Sequence, residues 1–348
     1  MDIVIILLVF FGIILIHELG HFVAARIFNM NVDEFSIGMG PRLFKYQGKH
    51  TLFSFRLLPI GGAVQLGEDL ESDDPNSFRN KPVWQRMIVI VAGAAMNLVL
   101  GLIVCIVSVS MSEKIATTTI SLFNENPVSS EKLMAMDEIV EVNGMPIWTT
   151  MDISYCFQNT AAKADENADR VYFDMVVIRN GERVTLDDVP FALNTSQDRT
   201  AGIIIDFFVQ PVEKDFFTVN SAALKTALTE GRLIWITLGD LISGTYGIND
   251  LSGPVGVVTT MSDAYNTMSL DQFLILVAFI TINIGIMNLL PIPALDGARF
   301  VFLLIEAIRR KPIPAEKEGI IHFVGLAALM ILMLIVTFND ISRLFSGG

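Results

Sequence analysis

The sequence is poor in charge, and in positive charge above all. Only 18% of its 348 residues are charged, and 24 Lys and Arg stand against 37 Asp and Glu, a net charge of -13. A balance this acidic repels a phosphate backbone, which argues against nucleic acid as a partner. Cysteine is almost absent too. Cys105 lies in an apolar run and Cys156 in a polar stretch, which argues for two free thiols and against a disulfide framework. The apolar run Ile3–Ile16 has no basic segment before it and no small-residue cleavage site after it, so it reads as a retained helix and not as a signal peptide.

What the chain has in excess is apolar surface. It is 52% hydrophobic, with a mean hydropathy of +0.54, too apolar for a soluble globule of this length. Segments of about 20 apolar residues, long enough to cross a bilayer, fall at 3–25, 86–110, 271–290 and 319–338. The expected fold is therefore a multi-pass α-helical membrane protein with four transmembrane helices. Lys and Arg cluster between the first two spans (Arg42, Lys45, Lys49, Arg56, Arg79, Lys81, Arg86) and between the last two (Arg309, Arg310, Lys311, Lys317). Positive charge marks cytoplasmic loops. Both termini and the long segment between spans two and three are then expected outside.

That outer segment reads as a β-rich module. Val171–Arg179 and Glu182–Val189 are rich in β-branched residues around Asn180-Gly181, and Glu138–Val142 precedes Asn143-Gly144; both dipeptides are strong hairpin turns. About a hundred residues suffice for a core of their own. Beyond it, Ser221–Leu241 has apolar residues at helical spacing but is interrupted by Lys225, Glu230, Arg232 and Asp240, which fits a helix lying on the outer leaflet better than a fifth span. The expected organisation is an N-terminal membrane half (1–112), an inserted domain (113–212), an interfacial helix with a connecting loop (213–270), and a C-terminal membrane half (271–348).

Chemistry is concentrated in the first span. In Ile16-His17-Glu18-Leu19-Gly20-His21-Phe22, the two imidazoles are one turn apart on one helix face and can reach one zinc ion, with Glu18 placed to take a proton from metal-bound water. Three polar groups in an apolar helix need a compensating partner, and coordination supplies one; a polar helix interface or a proton path is the alternative. A zinc site with two histidines needs a third ligand, usually a carboxylate. The one acid embedded in the late apolar region is Asp296, in Asn288-Leu-Leu-Pro291-Ile-Pro293-Ala-Leu-Asp296-Gly297, where the prolines break the third span. His17 lies nine residues before Arg26, so about 13 Å from the cytoplasmic edge at 1.5 Å per residue. Asp296 lies thirteen residues before Arg309, and a partly unwound chain brings it to similar depth. His50 and His322 stand alone and read as loop and interfacial residues. Neither a Gly-x-Ser-Gly nor a Gly-x-Gly-Asp element occurs, so serine and aspartyl intramembrane proteolysis lack their residues.

These motifs resemble the site-2 protease family of intramembrane zinc metalloproteases, in particular the bacterial regulator-of-sigma-E protease type with one PDZ domain, and the resemblance runs over nearly the whole chain. It implies His17, His21 and Asp296 as Zn2+ ligands, Glu18 as general base, and Asn288 as a hydrogen-bonding partner of the substrate or of the oxyanion. Phe35–Pro41 and Leu58–Leu66 are similar to the family's membrane-associated β-hairpin, about 35–70, whose edge at Gly61, Gly62, Ala63 and Val64 would hold substrate by strand addition. Asn126–Gly144 is similar to a PDZ run, with Lys132 and Met136 where glycines are usual, and implies a PDZ-like α+β domain that either binds peptides or filters substrates by size. Gly93-Ala-Ala-Met-Asn97 resembles a motif of the second span; Gly93, Asn97 and Gly101 share a face and read as close helix packing. The implied substrates are single-span membrane proteins, such as an anti-sigma factor or a signal-peptide remnant, cut in a bacterial cell membrane. Two other readings remain at this point: a non-catalytic membrane scaffold, and another membrane hydrolase with a His-Glu-x-x-His helix, such as a prenyl-protein protease.

Overall fold

The computed structural model describes residues 2–67, 74–161, 164, 168–194, 202–244 and 251–346. Residues 68–70 of the expected hairpin segment, 162–163, 165–167 and 195–201 of the expected inserted domain, and 245–250 of the expected connection lie outside them. The chain forms two compact units, Met1–Val104 with Leu233–Gly348, and Cys105–Arg232. Among the described residues, four helices are long and apolar enough to cross a membrane: Asp2–Ile27, Val83–Met111, Leu270–Leu289 and Glu316–Arg343.

The first of these is α1 (Asp2–Ile27), with Asp2 in its first turn and Arg26 in its last, each placed favourably for the helix dipole. It leads into β1 (Val32–Gln47) and β2 (Leu52–Leu66). The sequence suggests one hairpin here, but both strands double back. Residues Glu34–Ile37 pair with Leu52–Phe55 on one side and with Gly62–Gln65 on the other, while Arg42–Gln47 pair with Leu52–Arg56. Four segments result, in the order 42–47, 52–56, 34–37 and 62–66, with 34–37 running parallel to 52–55 and with 62–66 at an edge. The reversals use Gly38, Gly40 and Gly61 at φ 87°, 85° and 75°, left-handed values that residues with a Cβ rarely adopt. Glu34 pins the stack. It is 2% exposed, takes two hydrogen bonds from Arg42 at 3.2 and 2.6 Å and one from Arg56 at 2.9 Å, and accepts the Ser54 hydroxyl. Burial pushes the Glu34 carboxyl up, but these bonds outweigh it and bring it down to about 2. Helix α2 (Val83–Met111) follows.

The second unit is antiparallel. Its strands are β3 (Ile115–Phe123), β4 (Glu138–Val142), β5 (Met145–Pro146), β6 (Arg170–Arg179), β7 (Glu182–Asn194), β8 (Gly202–Ile203) and β9 (Phe207–Val212), with helix α3 (Thr150–Ala161) between β5 and β6. Strand order is β8-β7-β6-β4-β3-β9, and β5 pairs with β4. Both Asn-Gly turns form as expected, with φ of 48° and 78° at Asn143-Gly144 and 53° and 83° at Asn180-Gly181. Met136 sits at φ 74°, the conformation for which glycine is usual at this point of the run. Inside, Phe157, Phe173 and Phe191 stack with ring centroids 4.6, 4.7 and 5.6 Å apart. Each such buried ring contributes about 2 to 3 kcal/mol. Helix α4 (Phe216–Ile242) is tied to the start of α3 by Asp152, which accepts the Trp148 and Thr149 amides at 2.8 and 2.9 Å and pairs with Arg232, itself stacked 4.0 Å over Trp148.

The return to the first unit contains a helix the sequence does not announce. Pro254–Thr267 form α5, although Val255, Val257, Val258, Thr259 and Thr260 have low helix propensity. Packing decides it: Met261 and Ala264 are buried with Ile6 of α1 and with Phe273 and Val277 of the next helix. Helix α6 (Leu270–Leu289) starts on a Ser269–Gln272 capping box. Pro291 and Pro293 stop it, and α7 (Asp296–Arg309) begins after a six-residue connection, with Asp296 as its first residue. The last helix, α8 (Ala315–Ser346), caps α5 through Asp340, which accepts the Gly253 and Gly256 amides at 3.2 and 2.8 Å.

Candidate metal centre

His17 and His21 face the same way because they lie four residues apart on α1. Asp296 reaches them from the first turn of α7, 279 positions away from His17. His17 Nε2 and His21 Nε2 lie 3.1 and 3.2 Å from the same oxygen, Asp296 Oδ2, and 3.2 Å from each other. Both imidazoles are buried, and the Asp296 side chain is 22% exposed. Four donors about 2.0 Å from a tetrahedral zinc lie about 3.3 Å from one another. The observed spacings match that triangle.

The protonation of His21 agrees. Its Nδ1 lies 2.8 Å from the Val89 carbonyl of α2. A carbonyl only accepts, so Nδ1 carries the proton and the Nε2 lone pair points to the centre. Three converging lone pairs repel unless a cation sits among them, so the residues present fit zinc.

Glu18 is placed from the other side. The Val64 amide donates to its carboxylate, which lies within electrostatic reach of His17, His21 and Asp296. A Cβ on Gly62 would stand 2.6 Å from Glu18 Cγ and 3.2 Å from Oε1, so only glycine lets β2 pass this close. The expected substrate contacts Gly61, Gly62, Ala63 and Val64 thus run along the edge segment beside Glu18. Asn288 ends α6 half-buried, and its side chain has no hydrogen-bond partner among the described residues.

Two neighbours of the site read differently in the sequence. Gly93 is not merely a packing glycine: a Cβ there would collide with the His21 imidazole. Gly101, on the same face, does pack against the neighbouring span, where a Cβ would meet Ile282. His322, which reads as an isolated interfacial residue, accepts the Ala294 amide at Nδ1 over 2.9 Å, and Gly325 one turn later packs on Pro293. Ala294 has φ 79°, so α8 holds the strained loop that presents Asp296. The other isolated histidine, His50, lies in the turn between β1 and β2.

Gly93→Ala is expected to weaken zinc binding about tenfold to a hundredfold, the range typical when a ligand's orienting neighbours are disturbed. Chelator competition on the purified protein reads it. Gly101→Ala, on the same face but away from the imidazoles, should leave zinc affinity unchanged.

Comparison with known proteins agrees with this chemistry. A Clostridium acetobutylicum protein named as a candidate zinc metalloprotease is 38% identical over 346 residues, covering 98% of this chain and 97% of that protein. The zinc metalloprotease RasP of Bacillus licheniformis is 30% identical over 423 residues, covering 97% of this chain and 98% of RasP. The regulator of sigma-W protease RasP of Bacillus subtilis is 29% identical over 426 residues, with the same coverage. The sequence profile of peptidase family M50 matches residues 5–332, a stretch that takes in both halves of the donor cluster. With that match, the chain belongs to peptidase family M50, the site-2 protease family, and is a zinc-dependent metalloendopeptidase of the membrane.

Proposed function

We propose that this metalloendopeptidase hydrolyses peptide bonds within the transmembrane segments of single-span membrane proteins, with His17, His21 and Asp296 as the zinc ligands and Glu18 as the general base. The observation that carries the reading is the position of the donor cluster. His17 is the sixteenth of 26 residues of a helix apolar enough to span the bilayer, so a substrate must bring its bond into the membrane. A bond in a helix is shielded by its own backbone pairing. The segment Gly61–Val64 lies at the edge of its sheet beside Glu18, and a substrate unwound onto it would lie extended within reach of that carboxylate. Asn288 would hydrogen-bond the substrate or the oxyanion.

Bound zinc supplies Lewis acidity, which makes water a better nucleophile at neutral pH and stabilises the developing oxyanion. Glu18 accepts a proton from the attacking water and passes it to the leaving nitrogen. The Val64 amide holds the carboxylate in place for both transfers.

By the charge of their flanks, the β1–β2 segment and the α7–α8 connection face the cytoplasm, and the active site lies toward that side. The Cys105–Arg232 unit would then be an extracytoplasmic PDZ-like domain, within the proposed divisions 1–112, 113–212, 213–270 and 271–348, and α4 would lie on the outer leaflet. The name of the Bacillus subtilis relative, regulator of sigma-W protease, supports a membrane-bound anti-sigma factor as the substrate class, with signal-peptide remnants as a second. Reconstitution with a panel of tagged single-span proteins tests the proposal. Mass spectrometry of the products should place the cut inside the apolar segment. Cuts confined to water-exposed flanks would refute it.

A further inference from the structure

The face of α2 that meets the two histidines contains one more polar residue. Val89, Gly93 and Asn97 follow one another at four-residue intervals. Val89 fixes the tautomer of His21 and Gly93 makes room for its ring. Asn97 is fully buried, with its amide nitrogen 3.4 Å from His17 Nδ1 and its Oδ1 without a partner among the described residues. Nothing in the sequence separates this asparagine from a packing residue, and its neighbours on the same face account for only half of what a metal-binding pair of histidines requires. His21 has its Nδ1 proton held. His17 does not, unless Asn97 holds it.

An amide oxygen and nitrogen are nearly equal in size, so turning the Asn97 amide by 180° exchanges them with little change in packing. With the nitrogen toward His17, Nδ1 must accept, and the imidazole proton then sits on Nε2. It points at Asp296 Oδ2 and His21 Nε2, 3.1 and 3.2 Å away, where the ion belongs. With Oδ1 toward His17, Nδ1 keeps the proton and Nε2 presents its lone pair. In either orientation one amide atom stays without a partner, so the imidazole decides. We propose that Asn97 is a positioning residue of the metal centre, whose Oδ1 accepts the His17 Nδ1 proton and so holds His17 in the tautomer that binds zinc. Both histidines then have an acceptor on α2, a backbone carbonyl for His21 and a side-chain oxygen for His17. This makes α2 the second layer of a centre whose ligands come from α1 and α7. The inference rests on His17 being a ligand.

The test compares zinc dissociation constants, by chelator competition, for the full-length protein and for Asn97→Leu, Asn97→Asp and His17→Ala. Leucine keeps the volume and removes the acceptor; aspartate keeps the acceptor. Asn97→Leu should weaken zinc binding about tenfold to a hundredfold, and Asn97→Asp should stay within about threefold of the wild type or bind tighter. A packing role predicts the reverse, since leucine would fill the site and a buried carboxylate would disturb it. Should Asn97→Leu not fold, Asn97→Ala removes the same acceptor without adding bulk and reads the same quantity. Unchanged affinity in Asn97→Leu, or equal losses in the Leu and Asp variants, overturns the inference alone, provided His17→Ala loses zinc. Retention of zinc by His17→Ala overturns the ligand assignment and this inference with it.

Discussion

Glu18→Gln is expected to abolish peptide-bond cleavage while the protein keeps its full complement of zinc. Glutamine has the same shape and can still meet the Val64 amide through its oxygen, so β2 and Gly62 keep their places over the site. It cannot accept a proton. A positioned general base contributes about 10²- to 10⁴-fold, and in a cavity inside the bilayer there is little bulk water to replace it, so the loss should approach the upper end. Zinc stays because Glu18 is not among the three atoms that converge. The measurement is a paired one: turnover of a single-span substrate, and metal content of the same preparation. A variant that cuts at the normal rate, or one that loses zinc with activity, contradicts the roles assigned here.

Asp296→Asn should do the opposite and remove zinc first. If binding of roughly 12 kcal/mol is shared among three protein ligands, each carries about 4 kcal/mol, or about a thousandfold in affinity. The neutral amide also loses the charge that offsets the cation. The fold should survive, because asparagine keeps the shape of aspartate, and α7 stays anchored by Arg86, which pairs with Glu306 at 2.6 Å. The zinc-free melting temperature should therefore be unchanged while zinc affinity and activity fall together. A second route to the same end runs through α8: replacing His322 removes the acceptor that holds the Ala294 amide and should loosen the Asp296 loop, with a smaller loss.

The sequence made the two-histidine half of the centre legible because helical spacing alone decides which residues share a face. Asp296 was legible for a different reason, as a lone acid beside two prolines in an apolar stretch. What escaped notice depends on partners that leave no mark in a sequence. His322 binds a backbone amide, and any residue has one. Gly93 and Gly101 form one small-residue stripe, yet one makes room for an imidazole and the other for an isoleucine; the stripe cannot say which. Helix α5 was invisible because its β-branched residues speak against a helix, and only packing on α1 and α6 overrides them. The doubled strands around Glu34 were hidden likewise. Their glycines mark bends, but the pairing of 34–37 on both sides is a tertiary fact.

The central claim is that one zinc ion is held between two distant parts of the chain by two imidazoles and one carboxylate. X-ray absorption at the zinc edge of the purified protein tests it most directly. The account predicts a first shell of nitrogen and oxygen at about 2.0 to 2.1 Å, with the outer-shell scattering of two imidazoles and no sulfur, reduced to one imidazole in His21→Ala. A sulfur shell at about 2.3 Å, or a two-imidazole signal that persists without His21, would contradict it.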